Sequence, residues 1–456
     1  MIDVSSKKVA VIGLSKRTGV SVARTLVNCG AEVIVSDIKE KKDLKDEIEM
    51  LNEYEVEFDL GGHSNKLLDV DLIIVSPGVP LNLPFFKSIS EKGIPVISEI
   101  EFAYHLTEAN IIAITGTNGK TTTTALTGEI LDKADIGEVR VGGNIGKPLI
   151  DVVQGLKKND WVVAEVSSFQ LETIRDFKPH ISAFLNFSPD HLDRHLSVEN
   201  YWKAKKRIFE NQMSGDYALV NYDDYKVLKA VEDCSARVFG VSLKDNIEQG
   251  IYLEEDKLII NSADRSEVVL PVESIPLKGK HNIYNIAFAS LIAYLAGAST
   301  EAIKEGVYQF IPEPHRLEEV TVLKDRVMVI DDSKATNPHA AINALKSFDQ
   351  PIVLIAGGQD RDADFSEFAR EIVSRVRALI LLGETKDKLA ETVLRMGFNN
   401  IYKVRDMNEA VRKAIAHTEP GDVLLLSPGC PSWDMYDSYK KRGQEFKEAV
   451  NKIRGS

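Results

Sequence analysis

The chain has 456 residues, a formal net charge of −13, 44% hydrophobic and 27% charged residues, and three cysteines. That length exceeds one ordinary core and points to two to four domains of roughly 150 residues. The acidic balance argues against nucleic acid as a partner, and no apolar run approaches the ~20 residues of a membrane span.

The opening "MIDVSSKKVAVIGL" runs straight into a strand, with no signal-peptide pattern. Cys29, Cys234 and Cys430 show no metal-like spacing and fit a reducing cytoplasm, so a cytoplasmic protein is expected. "KKVAVIGL", "AEVIVSD", "VDLIIVSPG" and "IPVIS" predict short buried strands of a parallel sheet covered on both faces. A second set begins with "ANIIAITG", "DWVVAEVSS" and "HISAFLNFS"; a third comprises "DRVMVIDDS", "PIVLIAGG", "ALILLG" and "DVLLLSPG". Helical patterns between these runs give βαβ units. The stretch 240–275 alternates more loosely, as a small antiparallel addition. Three α/β domains are expected: a Rossmann-like 1–106, a P-loop ATPase-like 107–312 and a Rossmann-like 313–456.

"IIAITGTNGKTTTT" lacks the first glycine of a full P-loop, with Ile114 in its place. It still reads as strand, Gly116-Thr117-Asn118-Gly119 turn, then helix from Lys120. Glycine-rich backbone N–H groups and a helix N-terminus close around phosphate. Lys120 can neutralise the β/γ-phosphates and Thr121 can ligate Mg²⁺. An exposed lysine on an ordinary turn is the plainer reading, but the flanking strand and helix favour a nucleotide.

Glu165 sits among Val and Ala near the end of "WVVAEVSS", where it is either a structural ion pair or a Mg²⁺ ligand. His191 follows a Ser188-Pro189-Asp190 turn at the carboxyl end of a strand, the edge where open α/β sheets bind ligands. In "ENYWKAKKRIFEN", Tyr201, Ala204, Lys205 and Ile208 share one helix face. Lys205 is therefore aimed inward, as a core lysine with a solvated tip or as an amine whose lowered pKa lets it add CO₂. His281, Asn282 and Asn285 open a helix and either read an adenine edge or cap it.

In the third domain "VMVIDDSKATNPHAAINAL" reads strand, loop, helix, with Thr336 or Asn337 as N-cap and Pro338 at the first helical position. Asp332, Lys334, Thr336, Arg361 and Ser432 follow strands whose ends, if they share one edge, make a crevice suited to a small dicarboxylate.

Taken together, "GTNGKTT", "GGNIGKP", "EVSSFQLE", "DHLDRH", "KAKKRIFEN", "HNIYN", "PHRLE", "DDSKATNP", "GGQDRDADF" and "SPGCPSWDMY" make essentially the whole chain resemble the Mur ligases. "SPGVP", "SSFQLE" and "SPGCPSWDMY" resemble the D-glutamate-adding member, and the D-N-P-R signature of the diamino-acid-adding member is absent. The resemblance implies ATP-dependent addition of D-glutamate to UDP-N-acetylmuramoyl-L-alanine through an acyl phosphate, in peptidoglycan precursor synthesis; separately, a monomer is expected.

It also implies residue roles. Ser15, Asp37, Ser76 and Gly78 would meet the UDP-sugar. Gly116, Thr117, Asn118, Gly119, Lys120, Thr121 and Thr122 would hold ATP, with Asn282, His315, Arg316 and Asp332 also facing the nucleotide. Thr121, Glu165, His191 and a carbamylated Lys205 would hold Mg²⁺ at two sites. Asn144 would line the substrate, and Lys334, Thr336, Arg361, Ser432 and Tyr439 would meet D-glutamate. Lys120, Glu165, His191 and Lys205 would be catalytic.

Some positions depart from the family pattern. Ser15 replaces a glycine, Lys16-Arg17 lengthens the first turn by one residue, Arg361 stands where some members have lysine, and Pro431 replaces alanine. An acyl phosphate hydrolyses in water, so closure of the third domain about a hinge near residue 312 is expected. A dinucleotide oxidoreductase, suggested by Asp37, conflicts with the degraded glycine pattern. An inactive nucleotide-binding scaffold conflicts with Lys120, Glu165, His191 and Lys205 all being retained.

Overall fold

Strand runs, most of them apolar, build three sheets. The computed structural model describes residues 2–262, 265–275, 279–311, 314–361 and 363–454. The boundary and hinge expected near residue 312 lie outside the described residues.

The first sheet comprises β1 (Lys8–Ile12), β2 (Glu32–Asp37), β3 (Val56–Leu60), β4 (Leu72–Val75) and β5 (Val96–Ser98), all parallel, in the order β3-β2-β1-β4-β5. Alternate residues feed two cores: Val9, Val11, Val33 and Val35 pack on one side, Ala10, Ile12, Ile34 and Ile73 on the other. The chain order reverses around β1, so the turn after β1 lies at a switch point, the position where open α/β sheets take ligands.

A helix, Glu99–His105, leads from β5 towards the second sheet. Its buried Glu101 accepts backbone N–H bonds from Arg175, Asp176 and Phe177 at 2.8, 2.9 and 2.9 Å, and Glu99 accepts one from Ile150 at 2.7 Å. These two carboxylates fasten the helix to a loop and a short helix that connect strands of the second sheet.

That sheet comprises β6 (Asn110–Thr115), β7 (Val139–Gly143), β8 (Trp161–Glu165), β9 (Ile181–Phe184), β10 (Tyr217–Asn221), β11 (Arg237–Ser242), β12 (Gly250–Glu254), β13 (Lys257–Ser262) and β14 (Arg265–Pro271). Its order is β14-β13-β12-β11-β10-β9-β6-β8-β7. β7 to β12 pair in parallel, and β12, β13 and β14 are antiparallel. The antiparallel addition thus extends the same sheet.

The third sheet comprises β15 (Glu318–Val322), β16 (Met328–Asp331), β17 (Ile352–Ala356), β18 (Val376–Leu381), β19 (Ile401–Lys403) and β20 (Val423–Leu426), in the order β15-β16-β20-β17-β18-β19. Only β15 is antiparallel. Ile330, Leu354, Leu379 and Leu425 face one core and Val329, Val353, Ile380 and Leu424 the other.

The fold is the expected three-domain α/β architecture. Residues up to Ile275 with Tyr284–Phe310 form one compact unit, and Pro276–Ile283 with Ile311–Ser456 form a second. No helix among the described residues is long and apolar enough to cross a membrane.

Candidate active site

The phosphate loop begins where β6 ends. Gly119 has φ +83° and is the N-cap of the helix Lys120–Lys133. A Cβ there would strike Asn285 Oδ1, so both the dihedral and the space call for glycine. Asn186 braces the loop: its Oδ1 accepts from the Asn118 N–H at 2.9 Å and its Nδ2 donates to the Asn118 carbonyl at 2.9 Å. The Thr117 N–H donates to the Asn186 carbonyl at 3.0 Å, and Thr117 Oγ1 lies 3.3 Å from the Tyr201 hydroxyl. Lys120 curls over the loop, donating to the carbonyls of Gly116 and Thr117, both at 2.9 Å. Thr122 is buried behind it.

β8 lies beside β6 and delivers Glu165, which is 2% exposed. Thr121 Oγ1 donates to Glu165 Oε2 at 2.8 Å, and Asn144 Nδ2 donates to Oε1 at 2.7 Å. An ion pair was one reading of this carboxylate, yet its hydrogen-bond donors are a hydroxyl and an amide. A buried anion held by neutral donors beside a phosphate loop is a hard-oxygen set that fits Mg²⁺.

Lys205 lies on the helix Val198–Lys206, and Tyr201, Ala204, Lys205 and Ile208 are all buried, as the spacing predicts. Its Nζ donates to the Gly116 carbonyl at 2.7 Å and to Thr115 Oγ1 at 3.3 Å, and sits 5.0 Å from the centre of the Tyr201 ring. Burial, and then the neighbouring charge of Lys120, hold its amine well below the usual lysine pKa.

His191 occupies the left-handed region, φ 51° and ψ 37°, before the short helix Leu192–His195. Its side chain is about half exposed, 3.7 Å from Asp190 and edge-on to Phe169 at 5.0 Å. His195 stacks on the same Phe169 at 5.3 Å; its Nε2 lies 2.9 Å from Ser168 Oγ and its Nδ1 3.2 Å from Glu172. Phe169 therefore touches both an outward and an inward histidine.

In the first domain three of the expected nucleotide-sugar residues, Ser15, Asp37 and Ser76, converge on the turn after β1. The Leu14 N–H donates to Asp37 Oδ2 at 2.7 Å, Ser76 Oγ donates to the Gly13 carbonyl at 2.7 Å, and Ser15 Oγ accepts from the N–H groups of Thr18 and Gly19, both at 3.2 Å. Gly78 is exposed, with nothing within 4 Å of where a Cβ would stand. Arg17 leaves this turn for the central domain, donating to the carbonyls of Asn144, at 2.9 Å, and Gly143.

In the second unit the loops after β16, β17 and β20 leave one edge of the sheet, because those strands are parallel. Asp332 is buried; it accepts from Ser427 Oγ at 2.7 Å and from the Leu317 N–H at 3.2 Å. Burial pushes its carboxyl up to about 7, partly offset by Ser427 and by the charge of Arg316. His315 Nδ1 lies 2.6 Å from Asp331. Asn282 is also buried.

Asn337, not Thr336, caps the helix Pro338–Leu345, its Oδ1 accepting from the Ala340 N–H at 2.8 Å, which leaves the Thr336 hydroxyl out of the cap. The ammonium of Lys334 lies 5.6 Å from the Tyr439 ring centre, and the guanidinium of exposed Arg361 lies 4.7 Å from that of Trp433. Ser432 is buried. Arg442, 1% exposed, ties two of these loops, donating to the Ser333 and Cys430 carbonyls at 2.8 and 3.0 Å.

Sequence reasoning missed Asn186, His195 and Arg442. Asn186 alone left a trace, as a polar residue directly after the apolar run "ISAFL".

Three family descriptions cover most of the chain: the Mur ligase MurD-like N-terminal domain matches residues 7–98, the Mur ligase middle domain 114–293, and the Mur ligase glutamate ligase domain 315–430. Relatives named UDP-N-acetylmuramoylalanine–D-glutamate ligase include that of Alkaliphilus metalliredigens, 42% identical over 100% of both chains. Another, from Clostridioides difficile, is 42% identical over 99% of this chain and 100% of its own. Among solved structures, the pseudomurein peptide ligase type C from Methanothermus fervidus matches with a TM-score of 0.60 at 20% identity, over 98% of this chain and 100% of that one. The UDP-N-acetylmuramate-alanine ligase MurC from Thermotoga maritima matches with a TM-score of 0.58 at 19% identity, over 98% of this chain and 100% of that one. Both solved structures share the fold. The chain belongs to the Mur ligase family.

Proposed function

We propose that this chain is an ATP-dependent ligase that joins D-glutamate to UDP-N-acetylmuramoyl-L-alanine, forming an amide bond in peptidoglycan precursor synthesis and working as a monomer. The observation that carries the reading is the convergence of Lys120, Thr121, Glu165, Asn144 and Lys205 around one phosphate loop, in a chain 42% identical over its full length to relatives named for this activity.

The substrate's alanyl carboxylate attacks the γ-phosphorus of ATP; the bond to the bridging oxygen breaks and ADP leaves. The amine of D-glutamate then attacks the acyl phosphate carbon, loses a proton, and expels inorganic phosphate. Bringing two anions together is the main obstacle, so placement and charge stabilisation do most of the work. Lys120, released from the loop carbonyls it now holds, turns its ammonium to the β/γ-phosphates. The loop N–H groups and the start of the helix Lys120–Lys133 cradle the phosphates. Asn144 and His191 line the path of the alanyl carboxylate.

Thr121, Glu165, His191 and Lys205 as a carbamate would hold Mg²⁺ at two positions, which when bound neutralises charge on the phosphates. For the carbamate, the support is physical. Desolvation, and then the charge of Lys120, lower the pKa of this buried amine and so favour its neutral form, which is nucleophilic towards CO₂, and the anion that forms would be drawn to the same Lys120.

Ser15, Asp37, Ser76 and Gly78 take the UDP-sugar at the switch point of the first sheet. Asn282, His315, Arg316 and Asp332 face the nucleotide. Lys334, Thr336, Arg361, Ser432 and Tyr439 take D-glutamate, the two cations meeting its carboxylates. Closure of the third domain over the central one would keep water from the acyl phosphate. Phosphate release that depends on both UDP-N-acetylmuramoyl-L-alanine and D-glutamate tests the reading; ATP hydrolysis indifferent to both would contradict it.

A further inference from the structure

Two residues of the lengthened turn after β1, Lys16 and Arg17, have no role in the reaction just described. These two cations part company. Lys16 Nζ lies 2.5 Å from Asp46 on the surface of the first domain. Arg17 turns the other way, and its fork takes two successive carbonyls, Gly143 and Asn144, at the end of β7.

Those carbonyls belong to the two peptide groups on either side of the Asn144 Cα. The Asn144 N–H donates to the Glu165 carbonyl at 2.7 Å, and its side-chain amide donates to Glu165 Oε1 at 2.7 Å. Gly143 adds no slack: it has φ +95°, and a Cβ there would strike the Glu165 carbonyl. A planar guanidinium gripping both oxygens sets the tilt of this segment in a way a single-point contact cannot. Groups that orient a metal-ligating carboxylate matter nearly as much as the ligand itself.

We propose that Arg17 is a positioning residue that couples the nucleotide-sugar turn to the catalytic carboxylate, holding Asn144, and through it Glu165, in the geometry that binds the divalent cation. Ser15 and Arg17 share one short turn, so a nucleotide-sugar that orders the turn also steadies the cation site. This rests on the proposed role of Glu165.

The test measures Mn²⁺ binding to the full chain in the presence of ADP by electron paramagnetic resonance, which needs no turnover. Arg17→Met should weaken Mn²⁺ binding by about tenfold, the low end for groups of this kind. Arg17→Lys should fall between it and the unaltered chain. Arg24→Met is the control: Arg24 also crosses from the first domain to the central one but ends on Asp151, 3.0 Å away, and should leave Mn²⁺ binding unchanged. Metal-free ADP affinity should be unchanged in Arg17→Met, because the loop's contacts do not run through Arg17. Turnover should fall about tenfold with the KM for ATP within about twofold.

Unchanged Mn²⁺ binding in Arg17→Met overturns the proposal. So does an equal loss in Arg24→Met, or a parallel loss of metal-free ADP binding, either of which marks general loosening. If Arg17→Met weakens Mn²⁺ binding but the unaltered chain makes no amide product, the proposed function fails and the coupling stands. If the unaltered chain is active and Arg17→Met matches it in both readouts, the coupling alone fails.

Discussion

Thr121 Oγ1 donates a 2.8 Å hydrogen bond to Glu165 Oε2, joining the first turn of the phosphate-loop helix to the end of the neighbouring strand. Glu165 is nearly sealed from solvent, and its carboxylate is held by a hydroxyl and an amide. Such a burial is costly for stability, and the proposed role of Glu165 at a Mg²⁺ site would account for it. Glu165→Gln should lower turnover about 10²–10³-fold, the scale for removing one charge-stabilising group. The thermal midpoint should hold or rise. A fall in midpoint matching the loss of activity would make Glu165 a structural residue.

Lys205→Ala should abolish turnover to a similar extent, and a small carboxylate such as acetate in the buffer should restore part of it by supplying the missing anion. Full activity of Lys205→Ala without acetate or CO₂ would refute the carbamate. The unmodified amine also makes a stability prediction. Its pKa is lowered by burial from 10.5, so the unfolded chain binds more protons between the lowered value and 10.5. The penalty is complete below the folded value and vanishes as pH rises towards 10.5. Lys205→Met should therefore melt higher than the CO₂-depleted parent near neutral pH, and the gap should narrow as pH rises.

Asp332 has the opposite dependence. Burial raises its folded pKa from 3.8 to about 7, so protonated Asp332 suits the fold. Below 3.8 both states are protonated and nothing is lost; as pH climbs towards 7 the unfolded chain releases its proton first, and stability falls. Asp332→Asn should gain in melting temperature over the parent progressively from pH 4 to 7 and keep a constant lead above that. A lead independent of pH across this range would show that Asp332 is not the titrating group.

Gly119→Ala places a side chain at φ +83° and against Asn285 Oδ1. The left-handed dihedral costs about 1–2 kcal/mol, and the clash must shift the loop. The KM for ATP should rise at least tenfold with a modest fall in melting temperature. An unchanged KM would mean that this turn does not hold the nucleotide.

Continuous apolar runs made most of the sheets legible: "KVAVI" and "IIAIT" became β1 and β6 because strands buried on both faces need no polar alternation. "VEFDL" and "EEVTV" gave no such signal, since β3 and β15 are half-exposed edge strands, and β19 is only three residues long. "YALVN" and "RVFGVS", which form β10 and β11, are largely buried runs outside the three sets of strands expected from the sequence. The inward aim of Lys205 followed from helical spacing alone. Asn186, His195 and Arg17 act through partners 27 to 127 residues away, and spacing along the chain carries no trace of such contacts.

In the proposed reaction one phosphate loop activates a sugar-linked carboxylate for D-glutamate. The most direct measurement incubates the chain with ATP, Mg²⁺, UDP-N-acetylmuramoyl-L-alanine and a panel of D- and L-amino acids, and follows phosphate release and product mass together. One phosphate per amide product is expected, with D-glutamate the preferred acceptor and no product when Lys120 is replaced by alanine. Product formed equally from L-amino acids, or phosphate released without amide product, would contradict it.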